Sequence, residues 1–223
     1  MLQQNQRFRT PKFAKTSLFN QTSKRFFTPK VDRALENLIA RLPNGNLGYL
    51  MVGLNTAGYL AYLLWPRNRM HTYLANWCIY PDSLRNGHIH TFITAHFGHQ
   101  SFLSYALDSV ILYLFCQNTQ LVFGNLFPAK VMLLSLLVAN FLMFFAISTG
   151  SNTRLYQGND ALLRGLIFSV IFTNPQASFY LIPLPIQIKA WVIACVILGL
   201  DFLSFNVAGF GGVGAAYLML NVI

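Results

Sequence analysis

Between Gly158-Asn159-Asp160 and Asn174-Pro175 the chain carries an apolar run, Ala161 to Thr173. A bilayer-spanning helix needs about 20 such residues, and this run is shorter. It nevertheless lies between two longer apolar segments, and it sets an acid, Asp160, four positions ahead of a base, Arg164. Irregular backbone and charge at membrane depth are tolerated only where protein or a water-filled cavity surrounds them. The run is therefore expected as the central, protein-surrounded helix of a bundle, and the chemistry at Asp160 decides whether such a chain is an enzyme.

Composition supports the membrane setting. Hydrophobic residues make up 54% of the 223 residues and charged residues 10%, against about 25% charged in soluble domains. A polytopic membrane protein is expected, with apolar segments at about 47–65, 92–115, 129–148, 161–173, 179–200 and 203–222. Pro66-Arg67-Asn68-Arg69 ends the first behind Trp65, an interface anchor. A long loop, 66–90, follows, of a length that is often functional in compact proteins. The last segment carries Gly209, Gly211, Gly212, Gly214, Ala215 and Ala216. Small residues let helix backbones approach closely, so the expected neighbour of this segment is the short central helix.

The net charge of +10 is unevenly placed. Arg7, Arg9, Lys12, Lys15, Lys24, Arg25 and Lys30 all precede the first acid, Asp32. Residues 1–30 suit a mitochondrial targeting segment; the competing reading is a basic tail lying on anionic lipid. Residues 31–45 form an amphipathic helix closed by Pro43-Asn44-Gly45, with Val31, Leu35, Leu38 and Leu42 on one stripe and Asp32, Arg33, Glu36 and Arg41 away from it. Such a helix lies in the interface or docks on a partner. Residues 46–223 are the six-span membrane domain. The basic tail favours the matrix side, while Arg67, Arg69 and Arg85 weight the opposite side. Cys78, Cys116 and Cys195 show no C-x-x-C spacing, which leaves neither a disulfide framework nor a zinc site. Cys116 and Cys195 lie in apolar runs and read as small core residues.

Several stretches in order resemble the rhomboid family of intramembrane serine proteases. Phe97-Gly98-His99 followed by Asp108-Ser109-Val110-Ile111-Leu112-Tyr113-Leu114-Phe115 is similar to the family's F-x-H…H-L-x-x-N-M-x-x-L-x-x-F second span, and Gly124 matches a following glycine. Gly158-Asn159-Asp160-Ala161 stands where the family has G-x-S-G. Phe179 to Ile186 resembles the F-x-x-I-P-I-P entry to its fifth span. Ser204 to Ala216 lies where it has A-H-L-G-G-x-x-x-G. The mitochondrial presenilin-associated rhomboid-like branch is the most similar by its basic tail and last span.

The resemblance implies an all-α, six-transmembrane-helix bundle. It also implies that the protease chemistry is lost. Serine needs a base within reach to act as a nucleophile, and here the Ser and His positions carry Asp160 and Gly209. No histidine follows His99. The oxyanion-side His and Asn positions carry Ser104 and Asp108, and an anionic Asp108 repels an oxyanion. The Trp-Arg pair that closes the long loop becomes His90-Thr91, so that His99 alone is retained.

Asp160 and Arg164 stand in the favoured acid-first i,i+4 order. They are expected either as a structural ion pair filling the old centre, with Asp108 or Asp201 nearby, or as a first-turn acid with Arg164 snorkelling outward. His88, His90, His96 and His99 enrich the entry to the second span, but a metal site needs three or four convergent ligands, so no metal or other cofactor is expected. Asp108 is an intramembrane carboxylate and a functional-site candidate. The function expected is non-catalytic: a structural or accessory subunit of a mitochondrial inner-membrane complex, such as a respiratory complex or ATP synthase. Its partners would be other subunits and membrane lipids, including cardiolipin, with no nucleic acid. The alternatives are an inactive rhomboid that binds membrane clients for quality control, and a divergent intramembrane protease.

Overall fold

The computed structural model describes residues 27–150, 155–181 and 186–221. The basic tail up to residue 26 and the run Ile182-Pro183-Leu184-Pro185 lie outside the described residues, as do Val222 and Ile223. The chain is mostly helical. Helix α1 is Pro29–Ala40, α2 is Leu47–Leu64, and α3 (Met70–Trp77), α4 (Pro81–Arg85) and α5 (Thr91–Thr94) are short. Then come α6 (Phe102–Phe123), α7 (Leu126–Ser148) and α8 (Asp160–Thr173). A hairpin of β1 (Ser178–Leu181) and β2 (Ile186–Lys189) leads into α9 (Ala190–Ser204) and α10 (Val207–Asn221). Among the described residues two helices, α2 and α7, are long and apolar enough to cross a membrane.

Local chemistry sets the boundaries. Asn46 caps α2 by accepting from the Gly48 N–H at 2.7 Å, and Pro66 follows its end. Gly124, at φ +93°, turns the chain between α6 and α7. Helix α8 stops before Asn174-Pro175 because a proline disfavours helical geometry in the residue before it.

The short helix α8 is the centre of the bundle. Ala161, Leu162, Leu163, Gly165, Leu166, Ile167, Phe168, Ser169 and Ile171 are buried. Its closest neighbour is α10, which also packs along α7. Small residues explain the approach. A side chain at Gly212 would run into the Ala161 carbonyl oxygen, and one at Gly211 would sit 2.5 Å from the Ala139 backbone. Helices α2 and α6 form a second pair, linked by Asn55 Nδ2 donating to Ser109 Oγ at 3.2 Å and by a 2.8 Å hydrogen bond between the Thr56 and Tyr105 hydroxyls.

Three segments differ from the sequence reading. The second apolar segment does not begin as a helix at Phe92. Thr91–Thr94 and the single turn Ala95–Phe97 come first, Gly98 is extended, and α6 starts only at Phe102 and runs on to Phe123. The segment from Phe179 starts as an antiparallel hairpin, Ser178 opposite Lys189 and Leu181 opposite Ile186, so helix begins only at Ala190. The face of α1 is rotated as well. Ile39 is buried and Leu38 exposed, while Asp32 turns inward to Lys130 at 2.9 Å. The buried ammonium of Lys130 on α7 draws Asp32 inward, which outweighs the apolar stripe. Of the cysteines, Cys116 is buried as a core residue but Cys195 faces outward.

Candidate functional site

The N-terminal end of α8 is assembled from the long loop, the segment before α8, and the α9–α10 corner. Ile79 and Tyr156 exchange backbone hydrogen bonds at 3.0 and 2.9 Å, and the Gly158 N–H donates to the Ala95 carbonyl at 2.8 Å. Gln157 donates to the Tyr73 hydroxyl at 2.7 Å and accepts from Gln100 at 2.7 Å. The long loop is thus stitched over the start of the central helix.

At the corner, α9 ends through Phe205 in the left-handed region, φ 51°. The Asn206 N–H then returns to the Asp201 carbonyl at 2.8 Å. Asn206 serves both helices. Its Oδ1 accepts from the Gly209 N–H at 3.0 Å, capping α10, and its Nδ2 donates to Asp201 Oδ1 at 3.1 Å. Asp201 lies in the last turn of α9, where the helix dipole disfavours a carboxylate. On α9 Ile193, Ala194, Ile197 and Leu198 pack half-buried against the core, and only Ala190 and Asp201 are fully buried, so this carboxylate is the one buried charge the helix brings in.

Arg164 supplies the counter-charge. Its Nε donates to Asp201 Oδ2 at 2.9 Å and its Nη2 to Asp201 Oδ1 at 3.1 Å, a two-pronged pair matching guanidinium to carboxylate. Asp160, one turn earlier on α8, is 3.7 Å from Arg164 Nη2, and its side chain is 40% exposed. Of the two carboxylates, Asp201 is therefore the principal partner. A side-chain carbon at Gly209 would stand 2.8 Å from Asp201 Oδ2 and 3.0 Å from Asn206 Nδ2. The ion pair occupies the space that a larger residue at Gly209 would need.

The remaining polar residues cluster on the other side. Asp108 Oδ2 accepts from the Ser104 hydroxyl at 3.4 Å and lies 3.7 Å from His99 Nδ1. The other ring nitrogen of His99 faces Asn159 Nδ2 at 3.5 Å. His99 precedes α6 and is buried, and burial pulls its pKa down to about 4. Near neutral pH it is uncharged, and its contact with Asp108 is that of a neutral ring rather than an ion pair. His96 is also lowered to about 4, by burial first, with the Asn140 hydrogen bond working against it. The Asn140 amide donates to the Phe92 carbonyl at 2.8 Å, so its oxygen accepts from His96 Nε2 at 3.0 Å. His96 Nδ1 then faces the Tyr156 hydroxyl at 3.3 Å, which donates to the Gly158 carbonyl at 2.8 Å. Burial holds the Tyr156 phenol well above its usual pKa, with the Asp160 charge adding to it. His96 and His99 are thus committed to different partners. His88 Nδ1 contacts the Ala75 carbonyl at 2.9 Å and His90 Nε2 contacts Asn76 Oδ1 at 3.0 Å.

Two clefts flank the cluster and share Leu155 and Gln157. One, of about 240 Å³, is lined by Asp160, Asn206 and Tyr156; the other, of about 300 Å³, is lined by His99, Ser104 and Gln100. The sequence-selected residues Asp160, Arg164 and Gly209 meet in one place, and Ser104, Asp108 and His99 meet beside it. In the sequence alone Asn159 and Tyr156 have no role beyond their place in the stretch before α8, and Asn206 has none. Asn206 carried one usable signal, its place just ahead of an apolar run, where capping residues stand.

The class that fold and site define is a mostly helical protein with, among the described residues, two helices long and apolar enough to cross a membrane, and a buried arginine–aspartate pair at the start of its central helix. No protein-family model matches the chain, and no curated protein matches it.

Proposed function

We propose that this chain is a multi-pass membrane protein of rhomboid-like, six-helix architecture whose centre is structural, and that it serves as an accessory subunit of a mitochondrial inner-membrane complex. The observation that carries the reading is the two-pronged Arg164–Asp201 pair packed against Gly209. In the resembled family that neighbourhood holds a serine nucleophile and its histidine base. Here it holds an acid at Asp160, no side chain at Gly209, and a closed ion pair between them and α9. A carboxylate has no hydroxyl proton for a base to remove, so acyl transfer by the serine–histidine route has no starting point. Asp108 beside His99 opposes the negative charge that such a reaction develops. An inert, well-packed centre surrounded by aromatic-rich outer helix faces suits a scaffold that meets other subunits and lipid.

The test is native separation of mitochondrial membranes containing the tagged full-length chain, with mass spectrometry of the band that holds it. Stable, stoichiometric co-migration with one complex is the expected outcome. Transient recovery of varied single-span proteins instead supports a client-binding inactive rhomboid. Cleavage of a transmembrane reporter, lost on Asp160→Ala, overturns the non-catalytic reading.

A further inference from the structure

The side of α1 that faces away from the bundle carries Lys30, Arg33, Asn37 and Arg41. Spacings of three and four residues place these side chains on one stripe, and all four are exposed. The opposite side is already engaged. Ile39 is buried in the core, Leu35 and Leu42 pack against it, and Asp32 meets Lys130 on α7 at 2.9 Å. The Phe27 ring lies 5.9 Å from the Lys130 ammonium, adding a second contact at the same corner. The orientation of the stripe is therefore fixed by packing rather than by the stripe itself.

The position of α1 matters equally. The Gly45 carbonyl, just after α1, accepts from Gln120 Nε2 near the end of α6 at 2.8 Å, and Lys130 lies in the first turns of α7. Helix α2 begins at Leu47. So α1 lies across the bundle end where α2 and α7, the two helices long and apolar enough to cross a membrane, both start. With those two helices spanning a bilayer, as proposed above, that end is the level of the lipid headgroups. Among the described residues the ion pairs engage Arg85, Lys130 and Arg164, and leave Lys30, Arg33 and Arg41 out. Leu38, beside the stripe, is 42% exposed and fits among the outer acyl carbons.

We propose that the Lys30–Arg33–Asn37–Arg41 face of α1 is a docking surface for the anionic phosphate headgroups of the surrounding bilayer. The inference rests on the membrane reading above. Cations at headgroup level attract anionic lipid within a Debye length, and a helix locked to the bundle loses little freedom when it binds.

The experiment uses the full chain in nanodiscs, with Asn37→Cys carrying a fluorophore in a Cys195→Ser background. Quenching is measured with headgroup-labelled phosphatidylglycerol or headgroup-labelled phosphatidylcholine at equal mole fraction. Anionic lipid is expected to quench several-fold more strongly, with the excess shrinking at high salt and lost in the Lys30→Gln, Arg33→Gln, Arg41→Gln triple variant. Equal quenching by the two lipids overturns the proposal. So does an anionic preference that survives the triple variant, or no quenching by either lipid. Failure of the chain to enter nanodiscs at all overturns the membrane reading instead, which separates the two.

Discussion

Arg164 on the central helix holds Asp201 on the outer helix by two hydrogen bonds, 2.9 and 3.1 Å long, across 37 positions of sequence. Asp201 is 2% exposed, so its charge has no access to water if the arginine is removed. Stripping one partner from a buried pair costs about 3–5 kcal/mol, because the other charge stays buried. Arg164→Met and Asp201→Ala are each expected to lower the unfolding midpoint in detergent by amounts in that range. The pair Arg164→Met with Asp201→Leu should recover much of the loss. Asp160→Ala, which removes a carboxylate 3.7 Å away and 40% exposed, should cost under about 1 kcal/mol. Equal losses for Asp160→Ala and Asp201→Ala would contradict this ranking of partners.

The central helix and the last helix touch through glycine. At Gly212 an added methyl meets the Ala161 carbonyl oxygen, which is backbone and cannot swing aside. Gly212→Ala must part the two helices, and overpacking of this kind costs about 1–3 kcal/mol. At Gly214 on the same helix the nearest atom to an added methyl is a Val138 methyl carbon at 3.9 Å, an ordinary contact. Gly214→Ala is expected to be neutral or slightly stabilising, since alanine is the better helix former. Thermal unfolding of the two variants side by side checks the contrast.

Much of this arrangement was legible because it is written locally. The short run between Gly158 and Asn174-Pro175, the break at Pro66 and the small residues from Gly209 to Ala216 each mark a boundary or a contact by their own chemistry. What escaped depends on distant partners. Asp201 reads as one of three aspartates in or beside the apolar segments, and only the α9–α10 corner places it on Arg164. Lys130 reads as an isolated charge in an apolar helix, and only the docking of α1 supplies Asp32. The hairpin from Ser178 to Lys189 was hidden because a short apolar run of β-branched and aromatic residues has no period of its own to separate strand from helix. The interruption at Gly98 to Ser101 was hidden for a different reason: it lies between two stretches that are each helical, so hydrophobicity alone joins them.

The Asp32–Lys130 pair is the polar anchor of α1. Lys130 is 2% exposed and Asp32 19% exposed at the side chain, so the contact is shielded from salt better than a surface pair. Asp32→Ala or Lys130→Met is expected to raise amide exchange across residues 29–40 by tenfold or more, an opening cost lowered by about 1.4 kcal/mol or more. Exchange in α8 and α10, which carry neither partner of the pair, should be unchanged. Hydrogen-exchange mass spectrometry on the full chain in detergent reads both regions in one measurement, and a uniform rise would mean that the pair supports the bundle rather than the helix.

His96 gives the protein a defined acid sensitivity. It lies outside the long helices, is fully buried, and makes its contacts as a neutral ring, with Nε2 donating to Asn140 and Nδ1 facing Tyr156. Burial lowers its folded-state pKa to about 4, below the ordinary value of 6.5. The unfolded chain therefore takes up a proton as the pH falls below 6.5 while the folded chain does not, and stability drops between about pH 6.5 and 4. The full effect of this one group is on the order of 3 kcal/mol, reached near pH 4 and absent above neutrality. Unfolding in detergent at stepped pH values should show that slope. His96→Gln retains hydrogen-bonding capacity toward Asn140 and has no charge to gain. It is expected to start less stable at pH 7.5 and to lose less on acidification, so that the two curves converge. Parallel curves for the two proteins would show that the acid sensitivity arises from another group.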